Sequence, residues 1–478
     1  MDLFLAAAAE TTNSGVIAAI EAGNKAVNDF IWGPIMCTIF VLVGIFITFR
    51  TRWFQVSRIR LWWKSTIAAI FTDKRVRKTE DKTAITQFQA LSTALASTIG
   101  TGNIAGVTTA IVSGGPGAVF WMWISAFFGM MTKYAEILLS MKYRYRNEKG
   151  EWQGGPMIFL DRGLGQKWLA VLFAIFATLA SFGIGCATQA NSVADALHST
   201  FGVNKVVVGV VIMLICAVVI VGGIKRIGRF TEILVPFMAV FYILGGVVLI
   251  CINYRNLGPA FASIFEGAFR FQSVAGGVAG FTIAQAMRFG VARGVFSNEA
   301  GLGSSAMAHS ASDTKEPVKQ AMWGVFEVFA DTIVVCTITA LSVLTTNVLG
   351  TLGADGKELS GAALTSLAFA NTFGYAGRVF LSIGMCLFAF STIVGWSYYG
   401  ERTYEYLFGS KTTIIYKIIF LCVIVLGTAT NLNLVWGIAD TLNGLMAIPN
   451  LIGVVALSGT VAAMTKDYLK RLKENRIV

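Results

Sequence analysis

Apolar runs of about 20 residues recur along almost the whole chain, and short polar segments separate them. A helix needs a run of this length to cross the hydrocarbon core of a bilayer. The pattern predicts eleven membrane-spanning helices, at residues 31–49, 86–112, 118–141, 168–191, 206–223, 233–251, 275–297, 322–344, 379–399, 414–432 and 444–463. We therefore expect an all-α, multi-pass membrane protein, with a short lid helix in the long connection at residues 345–378.

Composition and charge agree with a chain whose main solvent is lipid. Of the 478 residues, 55% are hydrophobic and 13% are charged, which is about half the charged share of a soluble domain. Ten Lys or Arg but only three acidic residues lie at positions 50–82. Because basic loops stay in the cytoplasm, this loop predicts an N-terminus outside, a C-terminus in the cytoplasm, and a location in the plasma membrane.

The distribution of charge also argues against other classes of protein. The net charge of +12 is spread over loops between apolar runs, so it does not indicate a nucleic-acid-binding surface. The sequence contains no P-loop and no H-E-x-x-H motif, and no cytoplasmic segment is long enough for a catalytic domain. We therefore expect neither an enzyme nor a cofactor, and a monomer in the bilayer is compatible with the sequence.

The second predicted span contains the segment STIGTGNIAG at residues 97–106, with glycines at 100, 102 and 106. Each glycine costs a helix about 1 kcal/mol relative to alanine, and backbone groups freed in lipid need partners. Glycine can also serve close helix packing, which is the simpler explanation for one such cluster. A second cluster, Gly276, Gly277 and Gly280, occupies the equivalent span five helices later.

Two glycine-rich spans at matching positions are typical of an inverted-repeat transporter that binds its substrate where the helices break. This interpretation divides the chain into an N-terminal segment at residues 1–85, a first repeat at 86–252, a second repeat at 253–465 and a basic tail at 466–478. Exposed N–H groups at a break favour an anion, and exposed carbonyls favour a cation. Neither glycine cluster contains a charged residue, so we expect a zwitterionic substrate and a small cation.

Several polar residues inside apolar runs have two interpretations. Ser391 and Thr392 could supply oxygen ligands to a hard cation, or they could bond the carbonyls of their own helix. Gln189 and Asn191 could line a transport path or mark a helix end that reaches the surface. Trp396 could form the wall of a small pocket or pack against a neighbouring helix.

Charged residues within the predicted spans are functional candidates, because burying a charge in a membrane is costly. Lys133 and Glu136 are three residues apart and are expected to neutralise each other. Glu327 and Asp331 carry like charge and need an outside partner or a proton. Arg288, Arg293 and Glu299 lie at the cytoplasmic end of the second glycine-rich span, where they could form an inner gate of ion pairs or be charges in contact with solvent beside the membrane.

Four segments strongly resemble the alanine/glycine–cation symporter family. They read STIGTGNIAGVTTAIVSGGPGAVFWMW, RFGVARGVFSNEAGLGSSAMAHSAS, TQANSVADAL and FSTIVGWSYYGER. The resemblance extends from about Trp32 to Thr465 and implies a LeuT-type five-plus-five inverted repeat, preceded by one extra N-terminal helix. It also implies sodium- or proton-coupled uptake of alanine or glycine.

The resemblance implies roles for individual residues. Backbone N–H groups of Thr101 and Gly102 would hold the substrate carboxylate. The residues that would line the same pocket are Asn103, Gln189, Asn191, Gly280, Phe281 and Trp396. Carbonyl groups of Ala96 and Ile99 would join Ser391 and Thr392 around one sodium ion.

These observations predict a sodium-coupled importer of small neutral amino acids that works by alternating access. Its expected partners are alanine or glycine, Na⁺ as the coupling ion, and the lipid bilayer. The main alternative is a proton-coupled symporter of the same fold, in which Glu327 or Asp331 would carry the proton. A channel-like protein is the weaker alternative, since a channel needs no closed binding site.

Overall fold

A computed structural model describes residues 19–269, 283–353, 356–429 and 433–474, and most of these residues are helical. The helices that build the bundle and the site are α1 (Pro34–Arg50), α2 (Gln87–Thr98), α3 (Val107–Gly114), α4 (Ala118–Tyr143), α5 (Lys167–Phe182), α6 (Thr188–Phe201), α7 (Lys205–Ile220), α8 (Gly223–Ile252), α9 (Leu257–Phe269) and α10 (Ile283–Asn298). They continue with α11 (Ala306–Ser310), α12 (Pro317–Val328), α13 (Thr337–Thr345), α14 (Gly361–Phe373), α15 (Tyr375–Phe408), α16 (Thr413–Ala429), α17 (Asn433–Leu445), α18 (Ala447–Ala456) and α19 (Ser458–Lys473).

Shorter elements connect these helices. Short α- and 3-10 helices occupy Phe54–Ser57, Ile59–Ser65, Ile67–Thr72, Lys74–Val76, Pro156–Ile158, Tyr254–Asn256 and Ser410–Thr412. Wider π-helical turns occupy Gly102–Gly106, Phe159–Gly163, Gly183–Ala187 and Phe329–Cys336. Strands β1 (Tyr145–Arg146) and β2 (Trp152–Gln153) form a small antiparallel hairpin in which Tyr145 lies opposite Gln153.

The described part of the chain is a multi-pass helical membrane protein. Seven helical stretches, several of which join neighbouring elements given above, are long and apolar enough to span a bilayer. They are Ala19–Arg50, Lys167–Phe201, Gly223–Ile252, Pro317–Thr345, Tyr375–Phe408, Ser410–Ala429 and Gly437–Ala456. The bent pair Gln87–Thr98 and Gly102–Gly114 forms an eighth candidate span. The predicted number of eleven stays a prediction, since two of the spans, 275–297 and 414–432, include residues outside the described ranges.

Some helix boundaries differ from the prediction. Helix α8 begins ten residues before the span predicted at 233–251, because the basic residues after Gly223 continue the helix instead of forming a loop. The last apolar helix runs over Gly437–Ala456, seven residues earlier than predicted, and a separate helix α19 follows it. The connection at 345–378 does contain a short helix, α14, as expected.

The interior of the bundle combines a large apolar core with buried polar residues, and its outer surface is apolar. Helix α4 packs against α1, α10 and α12 and buries Lys133 and Glu136 completely. Helix α8, by contrast, exposes large apolar side chains such as Ile233, Phe237 and Leu244. Lipid contacts the exposed apolar side chains, and neighbouring helices must supply hydrogen-bond partners for the buried polar ones.

Candidate functional site

The second predicted span breaks where its glycines occur. Helix α2 ends at Thr98, helical structure resumes at Gly102, and the two parts are bent by 50°. Gly100 permits a close approach of α15, because a Cβ atom there would lie 2.5 Å from Thr392 Oγ1. A Cβ atom at Gly102 would lie 3.3 Å from a ring carbon of Phe296, so α10 also approaches the break closely.

Asn103 fixes the shape of this first break. Its Oδ1 accepts a hydrogen bond from Gly100 N at 2.8 Å, and its Nδ2 donates to Asp331 Oδ1 at 2.7 Å. Ser297 and Thr332 also donate to the Asp331 carboxylate, at 2.9 and 2.8 Å. Asn103 is fully buried in this cluster and does not line either cavity described below.

A second break lies between α10 and α11. Three residues there have left-handed backbone conformations, Glu299 at φ 56°, Gly301 at 101° and Gly303 at 78°. Such conformations end a helix, and only glycine adopts them without strain. The residues predicted for the second break, Gly280 and Phe281, lie outside the described residues, whereas the observed break lies about twenty positions later along the chain.

The predicted inner gate at this segment is wrong. Arg288 pairs with Asp29, Nη2 to Oδ1 at 2.9 Å, near the start of α1, and Arg293 packs over the ring of Phe296. Ile85 pairs with Ser312 beyond α11, next to the basic loop that precedes α2. Arg288 and Arg293 therefore lie near the start of α1, and Ser312 lies at the opposite end, beside the basic loop. The sequence predicted the two arginines at the same end as the basic loop.

The two breaks adjoin and enclose a small cavity of about 20 Å³. Its wall is formed by Ser97, Thr98, Gly100, Thr101, Gly102, Ile184, Gln189, Phe296, Glu299, Thr392, Trp396 and Asn443. The structure thus brings together five of the residues predicted to bind substrate or sodium. Phe296, Glu299 and Asn443 were not predicted to line a binding site, although glycines 301 and 303 could have indicated the nearby Phe296 and Glu299.

A larger cavity of about 820 Å³ adjoins the small one. Thr101, Gly102, Ile184 and Phe296 line both. The larger cavity also reaches charged residues at helix ends and at the second broken span, among them Asp195, Arg293, Arg378 and Asp440. The large cavity connects the end of the bundle where Asp195 and Arg378 lie with the breaks. The sequence predicts that this end faces the outside.

The residues proposed to hold sodium suit a hard cation. The Gly100 N–H would bond the Ala96 carbonyl in a continuous helix, but it donates to Asn103 instead, which releases that carbonyl for another partner. Ser391 and Thr392 are buried, and each hydroxyl donates to the Phe388 carbonyl, at 2.8 and 2.9 Å. Because each hydroxyl uses only its O–H in these bonds, its oxygen lone pairs can still coordinate a cation.

The other predicted pocket residues separate into two groups. Gln189 Nε2 donates to the Ile184 carbonyl at 3.1 Å, and its buried Oε1 has no partner within the described residues. Trp396 is 3% exposed, and its Cβ and ring lie directly over Gly185, where any side chain would collide with it. Asn191, by contrast, donates to the Gly427 carbonyl at 3.2 Å and does not line either cavity.

The predicted neutralisation of Lys133 by Glu136 is wrong. Lys133 Nζ lies 3.4 Å from Glu327 Oε1 on α12, and His309 Nε2 lies 3.0 Å from Glu327 Oε2. Glu136 instead accepts hydrogen bonds from Gly301 N at 2.9 Å and from Asn450 Nδ2 at 2.6 Å. The charges of α4 therefore hold the second break and α12 in place.

Comparison with known proteins gives a consistent result. The family model described as the sodium:alanine symporter family matches residues 17–477. The sodium/alanine symporter AgcS of Methanococcus maripaludis is 49% identical over 450 residues, which cover 92% of this chain and 96% of that one. An uncharacterized transporter of Haemophilus influenzae is 42% identical, with 95% of this chain and 98% of that one covered.

A solved structure resembles the fold. The crystal structure of MhsT in complex with L-phenylalanine aligns with a TM-score of 0.55 at 12% identity and covers 80% of this chain and 99% of that one. At this identity the likeness shows the fold alone, which is the predicted LeuT-type fold.

Proposed function

The chain belongs to the sodium:alanine symporter family, and we propose that it imports alanine and glycine together with sodium by alternating access. Coupled transport of sodium and an amino acid is the activity of this family, and its members are transporters and not enzymes. The small cavity carries the proposal, because both breaks meet there and the predicted residues of both ligands line it.

The substrate carboxylate binds at the first break. Thr101 and Gly102 begin the second half of the broken helix, where N–H groups lack helical partners and favour an anion. Phe296, Ile184 and Trp396 provide the apolar walls around the substrate. Alanine and glycine suit such a site because they have small side chains and carry both charges themselves.

Sodium binds between α2 and α15. Its ligands are the carbonyls of Ala96 and Ile99 and the hydroxyls of Ser391 and Thr392, all buried. Neutral oxygens of this kind suit a hard cation and do not need to change protonation state. The carboxylates that a proton-coupled carrier would use are already engaged, Glu327 by Lys133 and His309, and Asp331 by Asn103, Ser297 and Thr332.

The large cavity represents a state open to the outside, and charge pairs close the opposite end. Arg402 is buried beside Glu151 and Glu405, at 3.0 and 2.9 Å, and Lys417 lies 3.1 Å from Glu401. These residues lie at the predicted cytoplasmic ends of the helices. Opening that end requires separation of the charges, and closure of the large cavity would complete the transport cycle.

Uptake of radiolabelled alanine into proteoliposomes tests this function. An inward sodium gradient should drive accumulation, with a saturable rate and a fixed ratio of sodium to alanine. An inward proton gradient in sodium-free buffer should drive none. Accumulation under the proton gradient alone would favour the proton-coupled alternative, and a flux that does not saturate would favour a channel-like protein.

A further inference from the structure

We propose that Glu299, Asn443 and Gln189 form the binding site for the α-ammonium group of the amino-acid substrate. The inference rests on the proposed function, in which the carboxylate end of the substrate lies at Thr101 and Gly102. It adds a defined place for the opposite charge of the substrate. Two of the three residues, Glu299 and Asn443, lie outside the set expected from the sequence.

Glu299 provides the negative charge that an ammonium group requires. It is 3% exposed, it lines the small cavity, and the Ser304 hydroxyl donates to one of its carboxylate oxygens. Within the described residues Glu299 forms no ion pair, since Lys133 pairs with Glu327 instead. A buried carboxylate without a cation is costly, and a cationic ligand in the cavity removes that cost.

Two amide oxygens add neutral acceptors to the carboxylate. Gln189 Oε1 and Asn443 Oδ1 are buried and have no hydrogen-bond partner in the described ranges. The two residues are 3% and 2% exposed, and both line the same small cavity as Glu299. An ammonium group has three N–H donors, which matches one carboxylate and two amide oxygens. Unpartnered buried acceptors cost free energy until a ligand satisfies them.

The small cavity is large enough for the ammonium end of the substrate but not for the whole molecule. A cavity of about 20 Å³ has room for about one water-sized group. An ammonium group fits this space, and the remainder of the amino acid would extend towards Gly102 and the larger cavity. A methyl group on the nitrogen would not fit without displacement of Glu299, Asn443 or Gln189.

Ligand binding to the wild-type protein tests the inference without a mutation. Alanine and sarcosine are isomers that carry their methyl group on Cα and on nitrogen, respectively, and L-lactate replaces the ammonium group with a hydroxyl. Calorimetric titration in saturating sodium should show sarcosine and L-lactate binding at least about tenfold more weakly than L-alanine. Equal affinities for alanine and sarcosine would overturn the inference.

The Glu299→Gln variant tests the role of the charge. L-Alanine affinity should fall at least about tenfold, and the preference for alanine over L-lactate should shrink towards one. Glu148→Gln, at an exposed position of the β1–β2 loop, is the matched control and should behave as wild type. The dependence of alanine binding on sodium concentration should have the same Hill slope in both variants as in the wild type.

A sodium ion in the small cavity is the competing explanation for the same chemistry. In that case Glu299→Gln would lower the Hill slope for sodium and leave the alanine-to-lactate preference unchanged, which would overturn the inference. Unchanged sodium and substrate binding would also overturn it. Asn443→Leu keeps the approximate side-chain volume and should weaken alanine binding in the same direction. A thermal shift on addition of sodium verifies that each variant is folded.

The tests also separate this inference from the proposed function. A wild-type protein that binds another neutral amino acid in place of alanine contradicts the proposed substrate. The ammonium site is then supported by two results together. The wild type binds the N-methyl form of that amino acid weakly, and Glu299→Gln binds the amino acid and its hydroxy analogue with similar affinity.

Discussion

Replacement of Thr392 separates sodium coordination from helix packing. Thr392 is 3% exposed, its Oγ1 lies against Gly100, and its hydroxyl donates to the Phe388 carbonyl at 2.9 Å. Thr392→Val keeps the shape of the side chain and replaces the oxygen with a methyl group. Thr392→Ser keeps the oxygen and removes the methyl group. The pair therefore changes the proposed ligand and the packing in opposite ways.

The expected effect follows from the number of ligands. Thr392 supplies one of the four proposed oxygens, and loss of a polar contact to a charged group costs about 1.5–3 kcal/mol. Each 1.4 kcal/mol is about a factor of ten, so Thr392→Val should raise the half-saturating sodium concentration at least about tenfold. Thr392→Ser should stay within about threefold of wild type. By linkage, Thr392→Val should also show a smaller gain in alanine affinity when subsaturating sodium is added.

The assay is alanine uptake into proteoliposomes over a series of sodium concentrations at constant ionic strength. Thr38→Ala is the matched control, because Thr38 forms the same type of bond to the Pro34 carbonyl, at 2.7 Å, on an exposed face of α1. Equal sodium dependence in wild type and Thr392→Val would refute the reasoning. It would assign Ser391 and Thr392 to ordinary helix packing.

Three further predictions concern other parts of the site. Gly102→Val should abolish alanine binding in detergent while insertion into the membrane persists, because its side chain would meet Phe296, whereas Gly258→Val on α9 faces open space and should bind normally. Trp396→Leu should admit valine as a competitor of radiolabelled alanine uptake, with a gain of about 1 kcal/mol per added methylene, and an unchanged competition profile would contradict this. Lys133→Met should lower the melting temperature by removing the ammonium partner of the buried Glu327, which then keeps only His309 and Ser305, at a cost of about 3–5 kcal/mol. Lys133→Met combined with Glu327→Leu should recover part of this loss, and no recovery would argue against the pair.

The first break could be predicted from the sequence because its three glycines interrupt one continuous apolar run. The break between α10 and α11 was not predicted, although Gly301 and Gly303 follow its first left-handed residue, Glu299. Arg288 and Arg293 also suggested that the membrane ended before that point, whereas Arg288 pairs with Asp29 and Arg293 lines the large cavity. The sequence alone does not distinguish charged residues that face an internal cavity from charged residues in a loop.

The pairing of buried charges depended on contacts between distant segments. Lys133 and Glu136 are near in sequence, yet their partners lie on α12, at the second break and on α18. Asn443 immediately precedes the span predicted at 444–463, so the apolar pattern places it in a connection. The sodium ligands and Trp396 were expected only through the family resemblance, since hydroxyls that bond their own helix carbonyls look the same in a packing role.

The geometry of the first break gives a physical reason for coupling. The Ala96 carbonyl, proposed for sodium, and the Gly102 N–H, proposed for substrate, belong to one short segment that Asn103 holds through Gly100 N and Asp331. Whichever ligand binds first orders this segment and reduces the conformational cost of binding the other. Because Asp331 also accepts from Ser297 beside the second break, the same order extends to the other half of the site. Sodium and amino acid should therefore increase each other's affinity by an equal factor, which titration of each ligand with and without the other would measure.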